Sequence, residues 1–508
     1  MCFGTAFSQG ISKQDNKQPE TAPAPAPDLD KIISDFDAYA EKTMKRWNVP
    51  GMSVCVAVGD KVVYKKSFGV RSIAVKGKTD DDTIFQIASC TKAFTAVLTA
   101  TLVDIGVLHW DDKVVKYLPD FRLSDKKVSD AMTIEDLLSQ DSALPPYSQH
   151  LMMLFDYDKD FIIDSMRYIK LQSAPKTQYS YQNNLYLVMG EVIKKATGKS
   201  WEQNIREMIF NPLNMKSSST DLKSYLKSQN RAAGHNYYDG KLIALKDTSP
   251  YMNWPYTFAP ASGINSNIDD MSRWLLFLIN GASAYGNTFI SAPNFEKLFE
   301  RHIFVSKSSY DNTKSNYYCL GWRCSEYENG EDIFWHAGST DGHGAYVSFL
   351  RDKKIGLAIL MNLPNGRMAD ALSKRLYDSY LQNPETDWSE VKLKEADNAY
   401  KNRYVKDPPS AVTPPLKLEK YVGKYENILY GVTEVRLQNG KLQFSAGSKK
   451  LWITMRHFSG NSFDGAGVAG WKFKKPMFVF KVYESSNVKA LYVEDMSDGV
   501  DAVFRKIK

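Results

Sequence analysis

The chain of 508 residues has five cysteines and seven histidines. It contains no Cys-x-x-Cys and no His-Glu-x-x-His, so nothing points to a redox pair or a zinc site, and no metal or cofactor is expected. Setting Cys2 aside, Cys55, Cys90, Cys319 and Cys324 are expected as buried thiols and not as a disulfide framework. In one extended strand Cys319 and Cys324 would face opposite ways. No apolar run reaches transmembrane length. Basic residues outnumber acidic ones only by 65 to 58, with no Lys/Arg block, so no nucleic-acid partner is expected. What is plentiful is apolar matter. With 43% hydrophobic and 13% aromatic residues the chain builds a sizeable core, and its length suggests two domains.

Residues 1–27 read as a signal remnant and a linker. Met1 to Ser8 is small and apolar, and Ala6-x-Ser8 before Gln9 fits a cleavage pattern, although a basic leader is lacking. An ordinary flexible terminus is the competing reading. The expectation is a periplasmic or extracellular protein. Thr21 to Pro27 is Pro/Ala-rich and reads as an extended tether.

Residues 28–383 alternate helix and strand signals. Ile32, Ile33, Phe36, Tyr39, Ala40, Met44 and Trp47 recur at helical spacing after Asp28. Met52–Val58 and Val62–Phe68 form a hairpin around Gly59-Asp-Lys61. Helices are expected at Ala93–Leu108, Ile134–Leu138, Phe161–Leu171, Tyr181–Thr197, Trp201–Ile209 and Asp269–Ile279. Strands resume at Tyr317–Cys324, Ile333–Trp335, Gly344–Phe349 and Ile355–Leu360, followed by a helix at Met368–Tyr380. This is an α+β pattern with the two halves of one antiparallel sheet far apart in sequence. Residues 384–417 read as a connector with one charged helix, Trp388–Arg403. Residues 418–508 carry strand signals only, with an Asn439-Gly440 turn, and read as a small all-β domain, a barrel or curled sheet.

Ser89-Cys-Thr-Lys92 opens the Ala93 helix. Residues three apart share a helix face, so the Lys92 amine sits beside the Ser89 hydroxyl. A serine needs an adjacent base to act as a nucleophile, and burial lowers a lysine pKa enough to serve. Taken alone, Ser89 reads as an N-cap, Tyr181 as a core aromatic, Asn183 as a cap and His336 as a strand histidine. Taken in order, Ser89-x-x-Lys92, Tyr181-x-Asn183 and His336-x-Gly338 resemble the fingerprint of the serine β-lactamase-related family. That family includes class C β-lactamases, D-Ala-D-Ala carboxypeptidases, D-aminopeptidases and esterases. Flanking stretches agree: Trp47-Asn-Val-Pro-Gly51, Thr133-Ile-Glu-Asp-Leu-Leu138, Ala261-Ser-Gly263, Asp270-Met-Ser-Arg-Trp274 and Tyr318-Cys-Leu-Gly-Trp322. The resemblance spans about Ile32 to Leu381.

The resemblance implies a β-lactamase/DD-peptidase-like sheet flanked by helices, with a helical subdomain. It makes Ser89 the nucleophile, Lys92 its base and Tyr181 the proton shuttle to the leaving group. Asn183 would hydrogen-bond substrate or Lys92, and His336 would face the cleft from an edge strand. Gly338 and Ser339 would close the site, the backbone N–H groups of Ser89 and Ser339 forming an oxyanion hole worth ~3–4 kcal/mol per donor. The partner is then a small peptide, amide or ester. D-amino-acid peptides and esters are expected ahead of β-lactams, because His336 stands where many relatives carry lysine. A β-lactamase, a D-Ala-D-Ala carboxypeptidase and a non-catalytic peptide- or peptidoglycan-binding relative are the alternatives. Two further departures are Tyr-Gln-Asn in place of Tyr-Ser-Asn, and Gln140-Asp-Ser-Ala143 in place of His-x-Ser-Gly. His343 reads as a turn residue. Oligomeric state is not legible.

Overall fold

The structure, a computed structural model, describes residues 27–238, 240–249, 252–307, 313–401, 413, 415–448, 451–465, 477–483, 487–494, 496 and 502–507. The signal-like stretch and most of the tether lie outside these residues.

Eight antiparallel strands form the main sheet. Their spatial order is Lys61–Gly69, Gly51–Val58, Ile355–Met361, Gly344–Leu350, Asp332–Ser339, Arg323–Tyr327, Thr313–Tyr318 and Ile303–Lys307. The N-terminal hairpin joins the later strands through pairs such as Val54 with Ile359, which brings the two distant halves together. The two strands Gly344–Leu350 and Ile355–Met361 are buried along their whole length. Their near-continuous apolar sequence follows, since both faces are covered. One face packs on the helices Leu29–Arg46 and Gly366–Tyr380. The other packs on Ile268–Ile279 and on the turn Ala88–Cys90 that leads into the helix Thr91–Asp104. Within that layer Phe94 stacks on Trp274, ring centroids 3.8 Å apart. Short helices between residues 114 and 262 form the helical subdomain.

Two sequence expectations change. Tyr317–Cys324 is not one strand: Gly321, at φ 75°, turns the chain between Thr313–Tyr318 and Arg323–Tyr327. Glycine takes this left-handed conformation without the Cβ penalty. The four described cysteines are all buried thiols, and Cys319 and Cys324 interact across that turn and do not point apart. The helix of the connector, Trp388–Lys401, docks on the N-terminal helix: Trp47 Nε1 donates to Ser389 Oγ at 3.0 Å and the Ser389 amide to the Tyr39 hydroxyl at 2.7 Å.

The C-terminal region is a closed eight-stranded antiparallel barrel, sealed by pairing of Gly423–Asn427 with Val503–Ile507. Asn439 and Gly440 both have positive φ, 52° and 71°, as the tight hairpin turn requires. Among the described residues no helix is long and apolar enough to cross a membrane.

Candidate active site

Ser89 lies in the short turn Ala88–Cys90 that opens the helix Thr91–Asp104. Ala88 is held at φ 47°, a strained value for a residue with a Cβ. The sheet holds it there. Gly338 passes so close that a Cβ on it would stand 2.0 Å from the Ile87 carbonyl oxygen. The Cys90 thiol donates to the His336 carbonyl at 3.3 Å. The nucleophile turn is thus pinned onto the strand that carries the third motif.

Lys92 is fully buried, whereas Ser89 is half-buried. Lys92 Nζ lies 3.5 Å from Ser89 Oγ, 2.7 Å from Asn183 Oδ1 and 3.2 Å from the Ala261 carbonyl oxygen. It sits 4.7 Å from the centroid of the Tyr181 ring and 5.2 Å from that of Tyr186. Burial, with the nearby Arg323 cation adding to it, pulls its pKa well below the ordinary lysine value. A neutral amine has two N–H donors and one lone pair. With the two oxygens of Asn183 and Ala261 taking the donors, the lone pair of an unprotonated Lys92 is left for Ser89.

Tyr181 is buried, with its hydroxyl near Ser89. Burial raises its pKa well above the ordinary phenol value, an effect stronger than that of Ser89, which opposes it. Tyr181 is therefore a neutral phenol at rest. The helix expected to start at Tyr181 starts at Asn184. Asn183 occupies the N-cap position without making the capping bond; its side-chain oxygen is engaged by Lys92.

The segment Gln140–Asp156 holds Tyr181 from behind. The Gln140 side chain brackets the Tyr-x-Asn backbone: its Nε2 donates to the Gln182 carbonyl at 3.0 Å and its Oε1 accepts from the Gln182 amide. The Ser180 amide donates to the Gln140 carbonyl at 2.8 Å, and the Tyr147 amide to the Tyr181 carbonyl at 2.8 Å. Gln140, Ala143, Tyr147, Gln149 and Asp156 all have positive φ, at a cost of ~1–3 kcal/mol each. The departure from His-x-Ser-Gly thus leaves a buried clamp and a strained loop.

The third motif differs from expectation in one respect. His336 is on an interior strand, between Arg323–Tyr327 and Gly344–Leu350, and is almost fully buried. Its Nδ1 lies 2.9 Å from the Ala337 carbonyl oxygen and its Nε2 3.2 Å from the Tyr318 hydroxyl. Burial first, then Lys92 and Arg323, hold its pKa well below the usual histidine value, so it is neutral at pH 7. Ser339 ends the same strand and is exposed beside the cleft.

The sequence reading missed Arg323 and Tyr318 as site residues. The Arg323 guanidinium lies within 6.0 Å of the ring centroids of Tyr179, Tyr181, Tyr318 and Trp335, and it donates to the Tyr179 hydroxyl. The one available signal was position: Arg323 directly follows Tyr318-Cys-Leu-Gly-Trp322. His343 lies in the turn between the strands Asp332–Ser339 and Gly344–Leu350, as read from the sequence. It is buried, with Nε2 3.3 Å from the Tyr225 hydroxyl and 3.2 Å from the Ala232 carbonyl oxygen, and burial pulls its pKa to about 4.

Comparison with known proteins identifies the family and the fold. Residues 36–382 match the Beta-lactamase family, and residues 407–503 match a domain of unknown function, DUF3471. The chain is 29% identical over 428 residues to the unguisins hydrolase ungD′ of Aspergillus campestris, covering 79% of this chain and 77% of that protein. It is 24% identical over 331 residues to protein flp of Staphylococcus aureus, covering 65% and 62% respectively. The fold is shared with the octameric penicillin-binding protein homologue from Pyrococcus abyssi. The TM-score is 0.61 at 22% identity, covering 91% of this chain and 98% of the other.

Proposed function

The chain belongs to the β-lactamase family, and we propose that it hydrolyses small peptide, amide or ester substrates through an acyl-enzyme on Ser89. The observation that carries this reading is the buried Lys92 amine, whose two other polar partners leave Ser89 as the outlet for its lone pair. Ser89 Oγ attacks the acyl carbon and its proton passes to Lys92 Nζ. The oxyanion meets the backbone N–H groups of Ser89 and Ser339. Tyr181 gives its hydroxyl proton to the leaving group and regains one from Lys92. Water then attacks the ester carbon and gives a proton to Lys92; that proton passes through Tyr181 to Ser89 Oγ as the ester bond breaks, and an acid is released. Burial lowers the Lys92 pKa and raises that of Tyr181, so the amine, and not a phenolate, is the better suited first base.

Substrate preference follows from charge. A neutral His336 gives no cation to a carboxylate held close to the scissile bond, as in a β-lactam. Arg323 offers one on the next strand of the sheet, suited to the more distant carboxylate of an open peptide. D-amino-acid peptides and esters are accordingly favoured over β-lactams. The name of the fungal relatives, unguisins hydrolase, supports hydrolysis as the reaction class. The periplasmic or extracellular location belongs to the same proposal. The test is intact-mass analysis after incubation with a fluorophosphonate, a penicillin and activated esters. Labelling confined to Ser89 and abolished in Ser89→Ala is expected; a labelled peptide elsewhere in the chain overturns the assignment.

A further inference from the structure

The described interior of the C-terminal barrel is packed with aromatic side chains. Tyr425, Phe444, Phe463, Phe478, Phe480 and Phe504 fill its interior, each 2% exposed or less. Its function is sought instead where its rim meets the hydrolase domain, on Phe155–Phe161. The Tyr157 hydroxyl donates to the Tyr430 carbonyl at 2.6 Å, and the Ser448 hydroxyl to the Asp156 carbonyl at 2.6 Å. Phe155 meets Phe444 edge-on, ring centroids 6.0 Å apart. Gly447 lies against the Phe155 backbone so tightly that a Cβ on it would stand 2.2 Å from the Phe155 carbonyl oxygen.

From this contact two routes reach the groups that hold Lys92, one through hydrogen bonds of Asp156 and one through the short helix His150–Leu154, which runs from Phe155 back to Gln149. Asp156 Oδ1 accepts from Asn253 Nδ2 at 3.0 Å and from Thr257 Oγ1 at 3.3 Å, the N-cap and last residue of the short helix Trp254–Thr257 that precedes the helix Ala259–Ser262 and its Ala261 carbonyl. On the other side the strained loop runs back through Gln149, whose Oε1 accepts from Asn184 Nδ2 at 2.9 Å, next to Asn183. It continues to Tyr147, whose amide holds the Tyr181 carbonyl. Strained backbone persists only where the surroundings over-determine it, and the barrel supplies that restraint at the far end of the loop.

We propose that the barrel is a positioning element of the active site: by clamping Phe155–Tyr157 it sets the placement of Tyr181, Asn183 and Ala261 around Lys92. The proposal rests on the acyl-enzyme reading above. It differs from simple adhesion between domains because it requires the chemical step to respond to one contact at the barrel rim.

Two glycines of the barrel separate these alternatives. Gly447 and Gly440 both have φ of 71°, so alanine strains the backbone alike at each, but nothing lies within 4 Å of a Cβ at Gly440. The measurements, on the full chain, are kcat and KM for a p-nitrophenyl ester, the rate of Ser89 labelling by a fluorophosphonate, and amide exchange at Tyr147 and Gln182. For Gly447→Ala a fall in kcat and labelling rate of about tenfold to a hundredfold is expected, with KM little changed and exchange faster at both amides. For Gly440→Ala none of these moves. Equal behaviour of the two variants, whether both unaffected or both slowed, overturns the proposal. If Gly447→Ala does not fold, Tyr157→Phe, which removes only the hydroxyl on Tyr430, is expected to give the same pattern at about threefold, and wild-type kinetics and exchange there overturn it. If the wild-type chain is not labelled at Ser89, it is the acyl-enzyme reading that fails, and the exchange arm still decides the clamp.

Discussion

Ser89 and Tyr181 face each other across the site and are held in opposite ways. Ser89 is placed by regular structure: a helix start pressed on an interior strand, with Gly338 removing the atoms that would keep them apart. Tyr181 is placed by an irregular segment whose backbone is strained at five residues and whose shape depends on side-chain hydrogen bonds, Gln140 foremost. The first arrangement is fixed by contacts that every conformation of the folded sheet contains. The second is fixed by a few replaceable groups, one set of them on another domain.

The largest effect should come from breaking both walls together. Lys92→Ala and Tyr181→Phe are each expected to lower kcat by orders of magnitude, ~10³ or more, and the double variant to be little worse than the worse single, because groups acting as one unit are not additive. Single-turnover acylation with a p-nitrophenyl ester measures all three. Losses that multiply would mean that the two walls act independently.

A smaller effect concerns recognition. Arg323→Ala is expected to weaken kcat/KM for a carboxylate-bearing peptide by about tenfold to a hundredfold, the value of one charge-assisted contact, and to spare a neutral ester. His336→Lys in the same background should restore part of the loss by putting a cation one strand nearer Gly338. Equal losses on both substrates would assign Arg323 to the aromatic packing of Tyr179, Tyr318 and Trp335 alone.

The same contrast explains what could be read from the sequence. The Ser89–Lys92 spacing, the capping box at Thr133 and the Asn439-Gly440 hairpin are local, and the structure contains each. The helix start misled because apolar periodicity runs back to Tyr181 while the helix begins at Asn184; the Asn183 side chain meets Lys92, one of the two partners expected for it. Tyr317–Cys324 misled because its β-rich composition hides the positive φ of Gly321. Arg323 enters the site only through the pairing of its strand with Trp335 and Tyr318. The barrel contact joins Ser448 to Asp156, residues 292 apart, and no pattern in one sequence announces it.

Gln140 tests the irregular wall by itself. Gln140→Ala leaves the Gln182 amide and carbonyl without their side-chain partner, a loss of about 1–3 kcal/mol in a buried setting. Thermal unfolding should register it as a drop of a few degrees, with Tyr181-dependent acylation slowed more than Ser89 labelling by a small, highly reactive probe. Unchanged melting would mean that the strained loop is held elsewhere.

The smallest effect is in the pH dependence of stability, and its sign is fixed by burial. Lys92 is protonated in the unfolded chain below its ordinary pKa of about 10.4 and has a much lower pKa in the fold, where burial disfavours the charge. Between the folded value and 10.4 the unfolded chain therefore binds more protons, and unfolding free energy rises with pH. Lys92→Met removes this dependence whatever it does to stability at any one pH. The difference between wild type and Lys92→Met should then move in favour of wild type as pH rises from 7 towards 10, by at most about 1.4 kcal/mol per pH unit. His336 acts in the same direction only below its ordinary pKa of about 6.5, and Tyr181 in the opposite direction only above about 10. The buried thiols of Cys55, Cys90 and Cys319, raised by burial, act in the opposite direction above about 8.5. These contributions are common to both proteins, and the difference between them reports Lys92. Urea unfolding of both proteins at pH 7, 8 and 9 measures the difference. A gap that stays constant would mean that Lys92 keeps its proton in the folded site, and the first base in acylation would have to be Tyr181 instead.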